Sequence, residues 1–425
     1  MNIHDSEKIA GMLKKLGYEE TEDKKNADII VFNTCCIRES AELKIMAKIG
    51  DIKALKKANK DLILVICGCM TQQKGMPENL KKKFPFINII IGTHNLEELE
   101  EYVIKYNKTH KSFNDVWEKE KAIRENIPVY RTSKYNAWVN IMYGCNNFCT
   151  YCIVPYVRGR ERSRKVEDIK KEVEELVKSN KYKTITLLGQ NVNSYGNDFN
   201  DGKTNFAYLL KELCKIEGDF RLKFMTSHPK DFSFELIDLI ATNPKISKSI
   251  HLPVQSGSNS ILKIMNRRYT VEHYKTLIDE IYKKIPDASI TTDIIVGFPG
   301  ETEEDFNGTC ELLKYCNYAG VFGFVYSKRK GTPAEKFENQ VPITVKRQRI
   351  TKLFDLQHSI GKELADRLVG RTIEVLIEDK INNYYIAKTD GGKTIKIKDE
   401  NLQLGNFYNV KIKKALTNEL VGELI

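Results

Sequence analysis

The sequence lacks any apolar run close to the roughly 18 residues that a membrane-spanning helix needs, which excludes a transmembrane protein. The first ten residues lack a basic stretch followed by an apolar one, so we expect no secretory signal and a cytoplasmic location. No internal repeat or low-complexity tract is visible. The composition is otherwise that of a globular chain, with 425 residues, 41% hydrophobic and 29% charged. At about 150 residues per domain, this length predicts about three domains.

The chain carries an excess of positive charge, +11 from 68 basic and 57 acidic residues. Such an excess suits an anionic partner such as nucleic acid. A chain of this length can equally carry it as solubilising surface charge. Net charge alone therefore leaves the partner open.

Ten cysteines are present in a chain for which no export is expected. Reducing compartments keep thiols reduced, so clustered cysteines there more often hold metal or do redox chemistry than form disulfides. Cys145, Cys149 and Cys152 form the pattern C-x-x-x-C-x-x-C. Three thiolates can bind three irons of a four-iron cluster and leave the fourth open to a substrate or cofactor. Structural zinc usually takes four ligands, and no fourth cysteine or histidine lies nearby, so the pattern favours the iron–sulfur cluster.

Residues 1–105 alternate between amphipathic helices and uninterrupted apolar strands, which predicts a doubly wound α/β domain with a parallel sheet. Ligands of such sheets bind beyond the carboxyl ends of the strands. Cys35 follows the first predicted strand and Cys69 follows the second, so both should lie at the same edge. The predicted elements are strands at 28–34, 62–66 and 87–91, and helices from about 37 to 58, near 78–83 and from Asn95.

Residues 106–135 are polar and without a clear period, as expected for a linker, and a second alternation of strands and helices fills 136–364. Its six βα units predict a flat doubly wound sheet or a curved partial barrel, and periodicity alone does not choose between them. The predicted strands are 138–142, 184–188, 222–226, 249–252, 290–296 and 321–326, followed by a long helix at about 342–366. In either arrangement the polar residues at strand ends form the site: Gln190, Asn191, Ser227, His228, Gln255, Ser256 and the segment 297–300.

Residues 365–425 contain five short alternating runs separated by polar or glycine-containing turns. This pattern predicts a small β-barrel, of a kind that often binds oligonucleotides. The segment carries ten basic and nine acidic residues, so its charge does not identify an RNA-binding domain. Tyr384, Tyr385 and Tyr408 could stack on bases, although some of them will fill the core of the barrel.

The cysteine pattern and its flanking motifs resemble the radical S-adenosylmethionine methylthiotransferases. The resemblance covers nearly the whole chain and includes a carboxyl-terminal region that is similar to a TRAM domain. NIHDSE together with NTCCIRES is most similar to the branch of the family that acts on N6-dimethylallyladenosine in tRNA. The motifs are NIHDSE (2–7), NTCCIRESAE (33–42), GCMTQ (68–72), PYVRGRERSR (155–164), LLGQNVNSYG (187–196), HLPVQSGSNSILKIMNRRYT (251–270) and IVGFPGET (295–302), with Tyr151 as the aromatic residue just before Cys152.

The resemblance implies an enzyme that adds a methylthio group at C2 of N6-dimethylallyladenosine beside the tRNA anticodon. Cys145, Cys149 and Cys152 would hold a radical [4Fe-4S] cluster whose open iron binds S-adenosylmethionine. Reductive cleavage of that cofactor would give a 5′-deoxyadenosyl radical that abstracts hydrogen from C2, and a second S-adenosylmethionine would supply the methyl group. The further candidates for cofactor contacts are Tyr151, Gly189, Gln190 and Asn191, although the last three also suit ordinary strand-to-helix turns.

The family holds an auxiliary [4Fe-4S] cluster for sulfur transfer with three cysteines of its amino-terminal domain, and Cys35 and Cys69 match two of them. The third belongs a few residues before NIHDSE, where this chain has only Met1. The chain also opens on a helix, whereas an α/β unit of this type normally begins with a strand. We therefore expect a sequence that starts late, at an internal methionine. The alternatives are a chain without this cluster, or one that uses Cys36 or Cys67.

Several functional interpretations remain open beside the leading one. The same chemistry could act on threonylcarbamoyl-adenosine in tRNA or on an aspartate of a ribosomal protein. The chain could also be a tRNA-binding iron–sulfur protein without complete sulfur-insertion activity, or, more remotely, a zinc-dependent RNA-binding protein. The partners implied by the resemblance are tRNA and an external electron donor, and we expect a monomer that binds neither DNA nor a membrane.

Basic residues crowd the segment that follows the cysteine pattern. They could bind RNA phosphate or form a solvated basic surface, and their position beside the proposed reaction site favours the first interpretation. These residues are Arg158, Arg160, Arg162, Arg164 and Lys165.

Overall fold

The computed structural model describes residues 1–36, 39–398, 401–416 and 419–425. The chain divides into two compact units. The first unit comprises residues 1–132, 143–162 and 329–332, and the second comprises 133–142, 163–328 and 333–425. Residues 37 and 38, where the second predicted helix was expected to begin, lie outside the described residues.

A four-stranded parallel sheet with the order β1-β2-β3-β4 forms the centre of the first unit. Its strands are β1 (Ile29–Thr34), β2 (Ile63–Gly68), β3 (Ile89–Ile91) and β4 (Phe113–Asp115). The helices of this unit are α1 (Asn2–Lys15), α2 (Glu39–Ala58), α3 (Met76–Lys83), α4 (Leu99–Thr109) and the short α5 (Val154–Arg158). The fourth strand lies within the segment that was predicted to be a linker.

Strand β2 explains why this sheet is covered on both faces. All six of its residues are buried. Leu64 and Ile66 pack into one apolar cluster, while Ile63 and Val65 pack into another. Since successive side chains of a strand point to opposite faces, both faces of the sheet are covered, and the predicted doubly wound α/β domain is confirmed.

Six parallel strands form the core of the second unit. Strands β5, β8 and β9 make one three-stranded sheet, β10, β11 and β12 make another, and a parallel bridge joins Leu222 to Ile246 between them. The strands are β5 (Asn136–Asn140), β8 (Thr184–Leu188), β9 (Arg221–Phe224), β10 (Ser249–His251), β11 (Ser289–Val296) and β12 (Gly320–Val325), and the short strands β6 (Met142–Tyr143) and β7 (Arg162–Ser163) fall between β5 and β8 in the chain. These strands follow one another in chain order, and apolar residues of the helices cover only one of their faces, the one that belongs to a single large core. A doubly wound sheet is covered on both faces, so one-sided coverage is the arrangement of a curved partial barrel.

The two faces of this six-stranded barrel differ in chemistry. Ala137, Leu187 and Ile250 belong to a large apolar core that also contains helix residues such as Ile169 and Leu209. The opposite, concave face carries the alternate side chains and is polar and aromatic. The helices are α6 (Val166–Lys178), α7 (Phe206–Cys214), α8 (Phe234–Thr242), α9 (Asn259–Ile264), α10 (Val271–Lys284), α11 (Glu303–Cys316) and α12 (Ile343–Asp366).

The carboxyl-terminal residues form a closed five-stranded barrel with the order β13-β14-β15-β17-β16, as predicted. Tyr385 is buried in its core together with Ile377, whereas Tyr384 is exposed. The strands are β13 (Thr372–Ile381), β14 (Tyr384–Thr389), β15 (Thr394–Ile397), β16 (Phe407–Ala415) and β17 (Leu420–Leu424). Within the described ranges, no helix combines the length and the apolar character needed to cross a membrane.

Asp390 fastens this small barrel to the six-stranded core. It lies in the turn between β14 and β15, and its two carboxylate oxygens accept hydrogen bonds from the Ser247 hydroxyl at 2.7 and 2.8 Å. The backbone N–H of Lys248 donates to the same carboxylate at 2.6 Å, and Lys223 Nζ donates to the Asp390 carbonyl at 2.8 Å. Gly391 packs against Ser289, where a Cβ would come within 2.5 Å of the serine hydroxyl, so this turn needs glycine.

Candidate functional site

The three cysteines of the C-x-x-x-C-x-x-C pattern lie in one loop of the first unit. The loop begins at Gly144, whose φ is 77° and whose Cβ would come within 1.9 Å of the Arg160 carbonyl oxygen. The Cys145 N–H donates to the Gly159 carbonyl at 3.1 Å, and the Cys152 N–H donates to the Cys149 carbonyl at 2.9 Å. These backbone bonds hold a compact turn that carries all three thiols.

The thiols of this loop are partly withdrawn from solvent. Cys149 is buried, and Cys145 and Cys152 are half-buried. Burial raises the pKa of the Cys145 thiol to about 11. Tyr151 is half-buried in the same loop.

The described residues contain no set of three histidine, cysteine or acidic side chains that converge as ligands of one metal ion. In a radical-type cluster the three thiolates would bind three different irons. All ten cysteines lie within the described ranges, and none of them forms a disulfide bond.

In the second unit, the carboxyl ends of β8 and β9 present buried polar atoms that have no hydrogen-bond partner among the described residues. These atoms are Asn191 Oδ1, Asn193 Nδ2, Ser227 Oγ and His228 Nε2. Buried polar groups are normally satisfied, and an unsatisfied group costs about 1–3 kcal/mol. A concentration of such groups at strand ends is typical of a polar ligand site.

The imidazole of His228 can donate a hydrogen bond from Nε2. Burial lowers the pKa of its imidazole, so the ring is neutral at physiological pH. Its Nδ1 accepts from the backbone N–H of Lys230 at 3.2 Å, which leaves the ring proton on Nε2. Nε2 is the buried atom without a partner.

The backbone at these strand ends is strained in a way that suits a binding site. Thr226 has φ 67° and Gln255 has φ 70°, the left-handed region that non-glycine residues rarely adopt. The Thr226 hydroxyl donates to the Gly189 carbonyl at 2.7 Å. Gly189 has no room for a side chain, because its Cβ would lie 2.7 Å from Met142 Cγ. Asn191 is anchored through Nδ2, which donates to Asp231 at 2.7 Å.

The concave face of the six-stranded barrel carries a polar and aromatic cluster. His251 Nδ1 lies 3.0 Å from the Thr291 hydroxyl, and His251 Nε2 lies 3.6 Å from Asp293. The Phe322 ring packs edge-on against His251 with 5.8 Å between ring centroids, yet Phe322 is 55% exposed. This face therefore presents one exposed aromatic ring, Phe322, beside the polar side chains of His251 and Asp293.

Cys35 and Cys69 lie at the same edge of the first unit's sheet, as predicted. Strands β1 and β2 are parallel, with Thr34 opposite Gly68. Each cysteine directly follows one of these two residues. The Cys69 N–H donates to the Thr34 carbonyl at 2.9 Å, which ties the two chain segments together beyond the last paired residues.

Cys36 and Cys67, the alternative ligands that the sequence offers for the auxiliary cluster, differ in their surroundings. Cys36 is buried in the same apolar cluster as Cys69, and its thiol donates a hydrogen bond to the Cys69 sulfur. Cys67 belongs to the cluster on the other face of the sheet, and its sulfur lies 3.6 Å from the Phe32 carbonyl oxygen. Only Cys36 of the two therefore shares the edge that Cys35 and Cys69 occupy.

A buried guanidinium lies against Cys69. Arg158 Nε donates to the Cys69 sulfur at 3.2 Å, and Arg158 Nη2 donates to Asp5 Oδ2 at 2.7 Å. The hydrogen bond from Cys36, followed by the charge of Arg158, lowers the pKa of Cys69 to about 6 against the effect of burial. Burial is the largest single influence on Asp5 and opposes its ionisation, but Arg158, Lys8 and the amino terminus together lower the pKa of that carboxyl.

The basic segment after the cysteine loop is divided between buried and exposed side chains, so phosphate binding stays a prediction for the exposed ones alone. Arg158 and Arg164 are buried, and Arg164 donates to Glu172 and to the Asn140 carbonyl, both at 2.7 Å. Arg160 and Lys165 are exposed. Burial and pairing withdraw Arg158 and Arg164 from any RNA phosphate.

Sequence reasoning missed a cleft in the first unit that includes Asp5 and Arg158. On its wall, Lys8 Nζ donates to the Tyr143 hydroxyl at 2.9 Å and to Glu97 at 3.3 Å. Asp5 and Lys8 are three residues apart on α1 and therefore share one helix face. That spacing within NIHDSEK is the signal that could have indicated the cleft.

Three family models match the chain. They are the Radical SAM superfamily at residues 139–313, the uncharacterized protein family UPF0004 at 1–92 and the TRAM domain at 366–425. Proteins named tRNA-2-methylthio-N(6)-dimethylallyladenosine synthase are similar over the full chain. One from Clostridium tetani is 53% identical over 100% of this chain and 94% of its own length, and one from Acetivibrio thermocellus is 47% identical over 100% and 89%.

Solved structures share the fold at low sequence identity. The radical S-adenosylmethionine methyltransferase TsrM from Kitasatospora setae has a TM-score of 0.56 at 14% identity, covering 89% of this chain and 76% of that one. The cobalamin-dependent S-adenosylmethionine radical enzyme OxsB has a TM-score of 0.53 at 14% identity, covering 82% and 53%. At this identity the likeness concerns the fold alone.

Proposed function

Because the chain belongs to the family of the tRNA-2-methylthio-N(6)-dimethylallyladenosine synthases, we propose that it adds a methylthio group at C2 of N6-dimethylallyladenosine beside the tRNA anticodon. The observation that carries the proposal is the loop of three unbridged thiols that follows the first strand of a six-stranded parallel barrel. The proposed partners are tRNA and an external electron donor. The enzyme acts as a monomer in the cytoplasm.

Two groups of cysteines hold the proposed [4Fe-4S] clusters. Cys145, Cys149 and Cys152 hold the radical cluster, and Cys35 and Cys69 supply ligands to the auxiliary cluster. The radical cluster with S-adenosylmethionine on its open iron supplies the chemistry that activates the C2–H bond, and the auxiliary cluster supplies the route for sulfur. The chain's own contribution is to present cysteine side chains at two sites, one in a loop and one at a sheet edge, and binding of the clusters would release their thiol protons.

S-adenosylmethionine takes its polar contacts from the strand ends of the six-stranded barrel. The neutral His228 donates from Nε2, and Ser227 and Asn193 offer further buried polar atoms. Gly189, Gln190 and Asn191 directly follow β8 and are proposed as further contacts to the cofactor. Tyr151 is proposed as a contact from the cysteine loop.

The concave face favours an apolar substituent on the adenine. Phe322 is the exposed aromatic surface there, and the acidic side chain of Asp293 lies beside it on the paired strand. A dimethylallyl group can pack on the ring, whereas the carboxylate of threonylcarbamoyl-adenosine would have to approach an acidic side chain. We therefore assign dimethylallyladenosine as the substrate in preference to the threonylcarbamoyl base.

The proposed division into domains follows the motifs. Residues 1–105 form the auxiliary-cluster domain, 136–364 the radical core and 365–425 the TRAM-like barrel. The segment 106–135 connects the first two and also adds strand β4 to the sheet of the auxiliary-cluster domain. In that barrel the exposed Tyr384 is a candidate to stack on a base, while the buried Tyr385 is not.

Iron, sulfide and product analysis test this function. The chain is reconstituted anaerobically, its iron and sulfide are measured, and it is incubated with S-adenosylmethionine, reductant and tRNA bearing either adenosine or N6-dimethylallyladenosine. We expect about eight irons per chain and a methylthiolated nucleoside, by mass spectrometry, only from the dimethylallyl substrate. About four irons with 5′-deoxyadenosine but no methylthiolated base would identify an iron–sulfur protein without sulfur insertion. No iron at all would refute the radical mechanism.

A further inference from the structure

We propose that Arg158 is a positioning residue for the auxiliary cluster, and that its guanidinium, held by Asp5, binds the Cys69 sulfur and raises the reduction potential of that cluster. The inference rests on the proposed function, because it takes Cys69 as a cluster ligand. It assigns a role to a motif arginine that the sequence alone placed with the RNA-binding candidates.

Two different nitrogens of the Arg158 guanidinium make defined contacts. Nε is directed at the Cys69 sulfur at 3.2 Å, while Nη2 is directed at Asp5 at 2.7 Å. Arg158 and Cys69 are each 8% exposed and Asp5 is 3% exposed, so the three groups meet out of bulk water. The planar fork of arginine can serve two acceptors in fixed directions, which the single ammonium of lysine cannot reproduce.

Stability alone does not account for this arrangement. A buried ion pair is roughly neutral in free energy compared with an apolar pair of the same volume, because desolvation offsets the attraction between the charges. The Arg158–Asp5 pair therefore adds little that an apolar pair would not. The contact that an apolar pair cannot supply is the N–H···S bond to Cys69.

The expected consequence is electrostatic. Reduction adds one negative charge to a cluster, and hydrogen bonds to its sulfurs together with nearby charge set the potential at which this occurs. A buried guanidinium stabilises the reduced state, and at low effective dielectric its influence is strong. Asp5 carries the opposite charge in the same place, so it partly offsets Arg158 while holding it in position.

The test measures the potential of the auxiliary cluster alone. In a chain that carries Cys145→Ala, Cys149→Ala and Cys152→Ala, only the auxiliary cluster assembles, and its reduction is followed by electron paramagnetic resonance at controlled potential. With Arg158→Gln we expect about a tenfold lower ratio of reduced to oxidised cluster at fixed potential, equivalent to about 59 mV for one electron. Arg158→Lys should recover part of this shift, since the charge remains.

Two further variants separate positioning from structural damage. Asp5→Asn removes the offsetting negative charge and should shift the ratio in the opposite direction, toward the reduced cluster. Arg349→Gln is the matched control, because Arg349 is a buried arginine that donates to Glu301 and Glu303. It should leave the potential unchanged even if it lowers the unfolding temperature.

Several results would overturn the proposal. They are an unchanged potential in Arg158→Gln, a shift of the same sign in Asp5→Asn and Arg158→Gln, or no iron in the triple-alanine chain. The product assay on the wild-type chain tests the proposed function, independently of the potential measurement that tests the role of Arg158. A correct potential shift in a chain that makes no methylthiolated base would reject the proposed function and retain the role of Arg158.

Discussion

The two cysteine groups of the first unit present their thiols in opposite electrostatic states. Burial raises the pKa of Cys145 in the loop to about 11, whereas the Cys36 hydrogen bond and the Arg158 charge lower that of Cys69 at the sheet edge to about 6. Ionisation is therefore disfavoured at Cys145 and favoured at Cys69. One protein can thus give two groups of cysteines opposite tendencies to ionise by different means.

The groups also differ in how the chain builds them. The loop cysteines lie within eight residues and are joined by local backbone hydrogen bonds. The edge cysteines are 34 positions apart and meet because β1 and β2 pair in a fixed register. A variant that affects one group should therefore leave the other largely intact, and the following predictions examine that independence.

The largest effect is expected from Cys145→Ala. Loss of one of the three proposed ligands of the radical cluster should reduce formation of 5′-deoxyadenosine to background and lower the iron content from about eight to about four per chain. Iron analysis and chromatographic assay of 5′-deoxyadenosine provide the measurement. Cys214→Ala is the control, because Cys214 is a half-buried cysteine of α7. If Cys145→Ala still cleaved S-adenosylmethionine, Cys145 would not be a ligand of the radical cluster, and the contrast between the loop and edge cysteines would not hold.

Cys69→Ala should have the complementary effect. We expect the methylthiolated nucleoside to disappear and about four irons to be lost, while formation of 5′-deoxyadenosine continues. Cys67→Ala is the matched control, since Cys67 is the neighbouring buried cysteine on the other face of the sheet. Equal loss of iron in both variants would show that the face of the sheet does not decide which cysteine binds the cluster.

A smaller effect is expected at the strand ends of the second unit. His228→Gln removes the Nε2–H donor, and we expect affinity for S-adenosylmethionine to fall about tenfold, which corresponds to about 1.4 kcal/mol. Equilibrium binding to the reconstituted protein measures this change, and iron content should stay constant. His273→Gln serves as the control, because His273 lies 3.3 Å from the Pro229 carbonyl oxygen. Equal affinity in wild type and His228→Gln would exclude His228 as a cofactor contact.

The smallest effect is a difference in pH dependence between the two thiols in the iron-free protein. The pKa of Cys69 is lowered from 9.0 to about 6, so between these values the unfolded state binds more protons and the free energy of unfolding rises with pH. The pKa of Cys145 is raised from 9.0 to about 11, so its contribution falls with pH in that higher window.

Urea unfolding at a series of pH values measures both contributions. The difference in free energy of unfolding between wild type and Cys69→Ser should rise with pH between about 6 and 9. The difference between wild type and Cys145→Ser should fall with pH between 9 and about 11. Slopes of the same sign would mean that the two thiols do not differ as the geometry implies.

Much of the fold follows from local patterns. The apolar run of β2, the six strand patterns after residue 135 and the five short alternating runs at the carboxyl end are all strands in the structure. A strand that is buried on both faces has a continuous apolar run, and a strand that is buried on one face alternates apolar and polar residues. The sequence pattern therefore indicates how many faces of each strand are covered. The C-x-x-x-C-x-x-C loop is equally local and was evident from its spacing.

Local sequence patterns do not predict which strands pair or whether a sheet curves into a barrel. Periodicity left a flat sheet and a partial barrel equally possible for the second unit, because both alternate strands with helices. The number of covered faces separates them, and that number depends on how the helices pack against the paired strands. The second face of the six strands stays open to a ligand, with Phe322 exposed beside His251.

The sequence by itself determined the element types, the closed carboxyl-terminal barrel, the cysteine loop and the shared edge of Cys35 and Cys69. Only the tertiary structure decided that Cys36 rather than Cys67 lies beside Cys69, and that Arg158 contacts a sulfur instead of solvent. The physical reason is that hydrophobic periodicity records how strongly a position is buried, whereas the partner of a buried cysteine or arginine is set by register and packing between segments far apart in the chain.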